Sequence, residues 1–369
     1  MTTLDDEATA RRTAMVNELT AGGHAIRPDV ADAFRNEPRH AYVRRFTRSH
    51  HIDGAWVSEE VNDAHPDWLA EVYRDQVLLT STWPAMSSST VPSLMADMLD
   101  ALDVHPGATV TEIGTGTGYN AGLLGRLVGD ENVLSVDVAP ELVSAARAAL
   151  EATGHDKITV VCGDGSSPEV VKPNSTDRLI ATCGVNRLPT AWRRAVHPGG
   201  LIVVPLGAGI AVLDVNKEHG VQGRFLSTGA YFMSLRPANG APLMPRPDNP
   251  EGPTEPCTMP VAAWSDSEFT FLVSFSLGLD DVLTDTSSSG ALTLWHRDGS
   301  IATVAADGTA RQAGPRRLAD LLGRLWDDYQ AHGRPPRNAY RIAVSPDGTH
   351  TVSAQCASGL WEVLPPYAE

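Results

Sequence analysis

Apolar residues in the middle of the chain follow two alternating spacings. Short continuous apolar runs, typical of buried strands, are separated by longer stretches in which apolar residues return every three or four positions, as on one face of a helix. The predicted elements, in chain order, are strand 109–113, helix 120–128, strand 133–137, helix 140–152, strands 158–162 and 179–183, helix 190–195 and strand 201–206. This alternation predicts a doubly wound, mostly parallel α/β sheet with helices on both faces.

The residues before this sheet have weaker patterns. Helical spacing covers residues 11–46, with Pro28 just inside a second helix start, and a further amphipathic helix covers residues 94–102. Residues 47–71 show little periodicity, and residues 73–80 resemble a short strand. We therefore expect a helical N-terminal segment, with no element predicted for its middle part.

A change of pattern after Gly207 indicates a further region. Short strand-like runs are interrupted by a proline-rich stretch, residues 237–260, which we interpret as a linker. Strands are predicted at 269–275 and 291–295, and a helix at 315–332. The predicted domains are an N-terminal helical segment, an α/β core and a C-terminal α+β extension, over residues 1–80, 81–215 and 216–369.

The composition limits the partners of the chain. With 45 acidic and 29 basic residues, the formal net charge is −16, which repels a phosphate backbone, so no nucleic acid is expected. There is no apolar run long enough to cross a bilayer and the N-terminus does not resemble a signal peptide, so we expect no membrane partner and a cytoplasmic location. The His50–His51 pair lacks partners at metal-ligand spacing, so no metal site is predicted, and Cys162 and Cys183 are expected to be small buried residues.

The strand at 109–113 leads into a glycine-rich loop at the start of a helix. Such a loop lets the backbone approach a ligand closely, because a side chain there would obstruct it. The pattern is G-x-G-x-G, whereas a dinucleotide fingerprint is G-x-G-x-x-G, so a nicotinamide cofactor is not indicated. The candidate cofactor-binding residues of this loop are Glu112, Gly114, Thr115, Gly116, Gly118 and Tyr119.

Carboxylates follow three successive predicted strands. S-adenosylmethionine has a free ammonium group, whereas a dinucleotide has an anionic pyrophosphate. A carboxylate beside the loop, Glu112, therefore favours S-adenosylmethionine over a dinucleotide. Asp137, followed by Val138, lies about twenty residues further on, where an acidic side chain can accept hydrogen bonds from both ribose hydroxyls. The candidates on the adenine side are Gly163, Asp164 and Gly165. Singly, the glycines could form only a tight turn and Asp137 could cap the helix at Pro140, but together the acids predict S-adenosylmethionine as the cofactor.

Over residues 10–210 the sequence resembles the protein-L-isoaspartate O-methyltransferase family. The segments that carry the resemblance are residues 38–43, 73–75, 112–119, 163–165 and 197–201. The resemblance implies a class I S-adenosylmethionine-dependent methyltransferase fold, which is Rossmann-like, and transfer of a methyl group to a carboxylate oxygen.

The family's active-site loop has the pattern Thr-Ile-Ser-x-Pro, which residues 88–92 match in part. Thr90 keeps a hydroxyl where the family has serine, and Ser89 replaces an apolar residue. The resemblance implies that Thr90, with Ser88 or Ser89, positions the substrate carboxylate as the catalytic loop. The alternative is an ordinary hydroxyl cap of the following helix. Arg39 could meet an acidic peptide or pair with a structural carboxylate.

The C-terminal extension carries a second resemblance. Residues 298–300, 307–308 and 312–318, followed by the helix with Trp326, resemble the longer methyltransferases that accompany ATP-grasp ligases in the maturation of ribosomally made peptides of the graspetide type. This resemblance implies, as the partner, a precursor peptide already crosslinked by an ATP-grasp ligase, and a methyl ester that closes to an aspartimide or hydrolyses to isoaspartate. Two alternatives stay open: an isoaspartyl repair enzyme with an added domain, and a non-catalytic scaffold that binds peptides.

Overall fold

The computed structural model describes residues 3–22, 26–52, 55–82, 85–236, 246–278, 282–287 and 290–363. Within this part of the chain, residue contacts define two compact units. The first contains the residues up to Cys183, then Pro189–Val203 and Arg236. The second contains Gly184–Leu188, Val204–Leu235 and the described residues after these. The sequence indicated three segments, whereas in the structure the N-terminal segment and the parallel-sheet core belong to the same unit.

The first unit is an α/β structure with an antiparallel addition. Its helices are α1 (Leu4–Ala21), α2 (Pro28–Asn36), α3 (Arg39–Tyr42), α4 (Trp68–Val72), α5 (Pro92–Leu102), α6 (Tyr119–Val128), α7 (Pro140–Ala152) and α8 (Thr190–Ala195). Its strands are β1 (Arg45–Ile52), β2 (Ala55–Asn62), β3 (Leu78–Ser81), β4 (Ser87–Ser89), β5 (Val110–Ile113), β6 (Val133–Asp137), β7 (Thr159–Cys162), β8 (Thr176–Ala181) and β9 (Val196–Leu206), of which β9 continues into the second unit.

Strands β5 to β9 pair in parallel, in the order β9-β8-β5-β6-β7. The chain moves from β5 outward to β7 and then returns to the other side of β5 with β8. This reversal of direction makes a topological switch point, and the crevice beyond the carboxyl ends of the strands at such a point is where open α/β sheets bind ligands. The predicted parallel sheet is confirmed.

The N-terminal helices share a buried polar cluster with the parallel-sheet core. Glu37, at the end of α2, is fully buried. Its carboxylate accepts hydrogen bonds from Tyr42 Oη (2.6 Å), Arg126 Nε (2.8 Å) and His155 Nε2 (2.9 Å). A buried carboxylate without such partners is costly, so this cluster favours one position of the N-terminal segment on α6 and α7.

An antiparallel sheet of order β2-β1-β3-β4 is formed by residues whose hydrophobic pattern is weak. The predicted helical spacing reached residue 46, but α3 ends at Tyr42 and Phe46 lies in β1, paired with Val61 in β2. Ser87–Ser89, predicted as a loop, forms β4 by pairing with β3. Cross-strand partners supply what local propensity does not, because strand formation depends on long-range pairing.

The second unit contains two antiparallel sheets. One has the order β10 (Gly209–Val215), β11 (Val221–Gly229), β17 (Tyr340–Val344), β18 (His350–Cys356) and β19 (Gly359–Val363). The other has the order β12 (Glu255–Pro256), β16 (Thr309–Ala313), β15 (Ile301–Val304), β14 (Leu292–His296) and β13 (Val282–Thr286). Two helices complete the unit within the described residues, α9 (Ser267–Leu277) and α10 (Leu318–Ala331). Residues 237–245 of the predicted linker lie outside the described residues.

The predicted strand at residues 269–275 is wrong, because this stretch forms α9. The side chain of Asp266 caps the helix by accepting hydrogen bonds from the backbone N–H groups of Glu268 (2.9 Å) and Phe269 (3.2 Å). Phe269, Phe271 and Leu272 are all buried, so the helix is apolar around most of its circumference. A short apolar run of this kind shows no periodicity that distinguishes a buried helix from a buried strand.

Three sequence expectations concern membranes, metals and thiols. In the part of the chain that is described, no helix is long and apolar enough to cross a membrane. The same residues contain no group of three or more His, Cys, Asp or Glu side chains placed to hold a metal ion. Cys162 was expected to be buried and is exposed at the end of β7, and Cys183, also expected to be buried, is half-buried.

Candidate functional site

The glycine-rich loop connects β5 to α6 at the switch point of the parallel sheet. Gly114, Gly116 and Gly118 have φ angles of 98°, 53° and 88°, which residues other than glycine rarely adopt. A β-carbon at Gly114 would lie 2.5 Å from Thr182 Oγ1. The loop therefore requires glycine both for its backbone conformation and for close packing against the residue that follows β8.

Asp137, the last residue of β6, is held in a fixed orientation beside this loop. Its Oδ2 accepts a hydrogen bond from the Gly116 backbone N–H (3.0 Å) and its Oδ1 from the Ala139 N–H (3.1 Å). The sequence left open that Asp137 only caps the helix at Pro140. The N-cap of this helix, α7, is Ala139 and not Asp137. The carboxylate is only 6% exposed, and its orientation fits the predicted role of accepting from ribose hydroxyls.

Glu112 lies beneath the loop and not on its surface. The side chain is fully buried, and its oxygens accept hydrogen bonds from Asn120 Nδ2 (2.7 Å) and Ser135 Oγ (2.5 Å). Thr115 Oγ1 lies 2.6 Å from Ser135 Oγ and extends this network to the loop. The predicted role of Glu112, supplying negative charge for an ammonium group, stays a prediction, because both carboxyl oxygens already have protein partners.

Replacing Glu112 with glutamine is expected to flatten the pH dependence of stability. Burial raises the pKa of Glu112 from its ordinary value of 4.5 to about 7. The native state therefore keeps a proton that the unfolded state has lost, so the stability contribution is full below pH 4.5 and is lost as the pH rises through about 7. The slope of this loss reaches about 1.4 kcal/mol per pH unit. Urea unfolding of the wild type and Glu112→Gln across this range measures it, and equal slopes in the two proteins would contradict the prediction.

The predicted adenine-side residues form a tight turn after β7. Asp164 Oδ1 accepts hydrogen bonds from the backbone N–H (2.8 Å) and the Oγ (2.6 Å) of Ser166. The indole Nε1 of Trp192 donates to the Gly165 carbonyl (2.7 Å), and a β-carbon at Gly165 would lie 2.6 Å from Ile113 Cγ2. The turn is thus packed against the end of β5, on the same sheet edge as the glycine loop.

The serine-rich segment lies against the glycine loop. A β-carbon at Gly116 would be 3.6 Å from Ser87 Oγ and 3.9 Å from the Ser88 carbonyl oxygen. Ser87 and Ser89 are buried, whereas Ser88 and Thr90 are half-buried. We define residues 87–90, which are β4 and the residue that follows it, as the acceptor loop. Of the predicted catalytic residues, the structure brings Ser88 next to Gly116 of the predicted cofactor loop, and Ser89 and Thr90 follow it in the chain.

Arg39 holds the acceptor loop through hydrogen bonds to Ser89 and Thr90. Its guanidinium donates to Ser89 Oγ from Nε (3.3 Å) and Nη2 (3.1 Å), and from Nη2 to the Thr90 carbonyl (3.1 Å). The further acceptors are the backbone carbonyls of Val72 (2.9 Å), Arg74 (3.2 Å) and Gln76 (3.2 Å). Burial lowers the pKa of Arg39 to about 10, so it is charged at neutral pH. The sequence left open whether Arg39 meets an acidic peptide or pairs with a structural carboxylate. The structure shows neither, because the partners of Arg39 are backbone carbonyls and the Ser89 hydroxyl.

Four residues of the site were not found from the sequence. Ser135 had a signal, because it is a polar residue in the middle of a buried strand. Ser87, Trp192 and Arg236 had none, since their contacts join distant parts of the chain. Arg236 Nη1 donates to the Met86 carbonyl (3.2 Å), and its Nη2 lies 3.7 Å from Asp137 Oδ1.

A doubly wound parallel sheet with a G-x-G-x-G loop after its first strand and an acid at the end of the next defines a class I S-adenosylmethionine-dependent methyltransferase. The profile of the family described as Protein-L-isoaspartate(D-aspartate) O-methyltransferase (PCMT) matches residues 10–222, which is more than half of the chain. The chain belongs to this family. It is an S-adenosylmethionine-dependent carboxyl O-methyltransferase.

Curated relatives agree with this membership. The protein-L-isoaspartate O-methyltransferase of Ignicoccus hospitalis is 30% identical over 199 residues, which are 53% of this chain and 82% of that protein. The protein of the same name from Thermotoga maritima is 30% identical over 228 residues, or 57% of this chain and 70% of that protein. In each of these two proteins the similarity in sequence extends over little more than half of this chain.

A solved structure named protein-L-isoaspartate O-methyltransferase is similar over a longer part of the chain. It covers 93% of this chain and 99% of its own, with a TM-score of 0.55 and 22% sequence identity. This likeness concerns the fold alone. Because the match covers 93% of this chain, it includes most of the C-terminal extension.

Proposed function

We propose that this methyltransferase esterifies an aspartate side chain in a ribosomally made precursor peptide that an ATP-grasp ligase has already crosslinked. The observation that carries the proposal is the acceptor loop, a run of four consecutive hydroxyl residues, 87–90, whose first two residues, Ser87 and Ser88, lie against Gly116 of the cofactor loop. Ser89 has a hydroxyl where the family pattern is apolar, and that hydroxyl is held by Arg39. A loop rebuilt in this way favours an acceptor other than a short isoaspartyl peptide.

The chemistry requires orientation and not proton transfer. An aspartate carboxylate is ionised at neutral pH, so attack by its oxygen needs no general base. S-adenosylmethionine supplies a methyl group on a positively charged sulfur. Held by the glycine loop and Asp137, it would supply that methyl group to a carboxylate oxygen and would leave as S-adenosylhomocysteine. The acceptor loop's task is to align the carboxylate and to exclude water from it.

Two hydroxyls of the acceptor loop differ in what they are free to do. Ser89 Oγ accepts two hydrogen bonds from Arg39, so its own proton points elsewhere and can be donated to a carboxylate. Thr90 is fixed through its backbone carbonyl, which leaves its half-buried hydroxyl for the substrate. We assign Thr90 and Ser89, with Ser88, to orienting the carboxylate.

The ester leads to a cyclic product. Methylation converts the aspartate carboxylate into a better leaving group, and the next backbone nitrogen can attack it to close a five-membered aspartimide with loss of methanol. This step is intramolecular and gains from proximity. A crosslinked peptide restricts the backbone around the aspartate, which favours this closure. Hydrolysis of the aspartimide gives isoaspartate.

A second candidate is repair of isoaspartyl residues in damaged proteins. The solved structure that covers 93% of this chain has the repair enzyme's name, so the extension is compatible with that activity. The two candidates share the cofactor and the reaction and differ only in the peptide that enters the acceptor site.

Substrate choice separates these candidates. We expect methyl transfer from labelled S-adenosylmethionine to a peptide macrocycle that is closed by a side-chain ester or amide and has one free aspartate. The same macrocycle with asparagine at that position is the matched control and should stay unlabelled. Mass spectrometry should then show addition of a methyl group followed by loss of methanol. Efficient labelling of a linear isoaspartyl peptide, with the macrocycles ignored, would show that the maturation proposal is wrong and that the repair activity is right.

A further inference from the structure

The guanidinium of Arg236 contacts both the residue before the acceptor loop, Met86, and the predicted ribose acceptor, Asp137. Arg236 Nη1 donates a hydrogen bond to the backbone carbonyl of Met86 (3.2 Å), the residue before the acceptor loop. Its Nη2 lies 3.7 Å from Oδ1 of Asp137, beyond direct hydrogen-bonding distance. The side chain is 35% exposed, whereas Asp137 is 6% exposed. Arg236 thus lies between the residue before the acceptor loop and the predicted ribose acceptor Asp137, with part of its side chain open to solvent.

The other guanidinium at the acceptor loop is not able to bind a substrate. Arg39 is fully buried, and its Nε and both Nη atoms donate to protein oxygens in the acceptor loop and in residues 72–76. A guanidinium has five N–H groups, and those of Arg39 are occupied by these acceptors. Within the described residues, Arg236 makes one hydrogen bond, to Met86, and one long ion pair, with Asp137, so it has N–H donors left for a ligand.

The net charge of the protein gives a local cation at the acceptor site an advantage. The chain has a formal net charge of −16, and the proposed acceptor is itself a carboxylate, so long-range electrostatics oppose its approach. Hydroxyl groups orient a carboxylate but do not offset this repulsion. A guanidinium does both, because its planar N–H groups match the two oxygens of a carboxylate.

We propose that Arg236 binds the acceptor carboxylate and is a specificity-determining residue of this enzyme. This inference rests on the proposed function. The guanidinium binds the carboxylate oxygens through one lone pair each and leaves a second lone pair on either oxygen for attack on the methyl group. Esterification removes the negative charge, so Arg236 then binds the product more weakly than the substrate. The residue therefore selects acids over amides and esters and assists product release.

The test compares binding of an acid with binding of its methyl ester. The probes are the aspartate macrocycle and a linear isoaspartyl peptide, each also prepared as the side-chain methyl ester, and calorimetry is run with S-adenosylhomocysteine present. We expect the wild type to bind at least one acid about tenfold more tightly than its ester, with a preference that falls at high salt. Arg236→Gln should reduce this preference to near unity, and Arg236→Lys should restore part of it.

Arg44→Gln is the matched control, since Arg44 is an exposed arginine paired with Asp63 in the exposed part of the N-terminal segment. It removes the same charge and should leave the acid preference unchanged. The assignment is overturned if the wild type binds neither acid better than its ester, or if Arg236→Gln weakens acid and ester equally. It is also overturned if Arg236→Gln lowers the affinity for S-adenosylhomocysteine by the same factor as the affinity for the acid. Arg236 would then act by orienting Asp137 for the cofactor.

The readouts keep this inference apart from the proposed function. Binding of acid and ester needs no turnover, so a loss of acid preference in Arg236→Gln supports the role of Arg236 even if neither peptide is methylated. Methylation of the isoaspartyl peptide alone would reject the maturation proposal and leave the carboxylate contact standing. Methylation of the macrocycle with an unchanged acid preference in Arg236→Gln would reject only the assignment of Arg236.

Discussion

Replacing Asp137 with alanine is expected to lower the affinity for S-adenosylmethionine and S-adenosylhomocysteine by about 100-fold or more. The carboxylate at the end of β6 is held by the N–H groups of Gly116 and Ala139 in an orientation that suits two ribose hydroxyls. Each hydrogen bond to a charged acceptor contributes about 1.5–3 kcal/mol, and about 1.4 kcal/mol corresponds to a factor of ten. Calorimetric titration with S-adenosylhomocysteine measures the loss.

Two variants separate cofactor binding from structural damage at this position. Asp137→Asn keeps the shape and one acceptor oxygen, so its loss of affinity should be smaller than that of Asp137→Ala. Asp177→Ala is the matched control, because Asp177 also accepts from a backbone N–H, that of Thr109 (2.9 Å), but beside the start of β5 and not its end. Asp177→Ala should keep full affinity, and the prediction fails if it loses as much as Asp137→Ala.

Replacing Arg39 with methionine is expected to destabilise the protein by about 3–5 kcal/mol and to reduce methyl transfer far more than cofactor binding. The variant leaves Ser89 Oγ and four backbone carbonyls without their buried donor. Without that donor the acceptor loop loses the contacts that hold Ser89 and Thr90. Urea unfolding measures the first effect, and kcat beside the dissociation constant of S-adenosylhomocysteine measures the second.

A positioning role for Arg39 makes a prediction that a purely structural role does not. Arg39→Lys keeps the charge but offers a compact ammonium in place of a planar fork, so it should restore stability more than kcat. Arg178→Met is the control, since Arg178 also donates to backbone carbonyls, those of Leu102 (3.0 Å) and Asp103 (3.3 Å), away from the acceptor loop. Equal losses of kcat in the Arg39 and Arg178 variants, after matching for stability, would contradict the positioning role.

The parallel-sheet core was largely predictable from sequence. The bounds predicted for β6, α7 and α8 coincide with those observed, at 133–137, 140–152 and 190–195. These elements have strong periodicity. Proline also marks the start of both helices: α7 begins at Pro140, and α8 begins directly after Pro189. The cofactor loop was predictable for a related reason: glycine spacing records a local backbone conformation, and local conformation is what a short sequence motif determines.

The acceptor site was predictable only in part. The hydroxyls of residues 88–90 are visible in the sequence, but the partner of Ser89 is Arg39, which is fifty residues away along the chain. Arg236 is more distant still from Met86 and Asp137. No periodicity connects such pairs, because they are brought together by strand pairing and helix packing over the whole unit.

The sequence by itself determined the class of cofactor site, since glycine conformation and the order of acids after successive strands are local properties. Only the tertiary structure decided what surrounds that site. It placed Glu112 beneath the loop, assigned Arg39 to the acceptor loop and brought Arg236 between the residue before the acceptor loop and the predicted ribose acceptor. The physical reason is that burial and hydrogen-bond partners depend on contacts between distant residues, and these contacts decide whether a charged side chain supports the fold or remains available to a ligand.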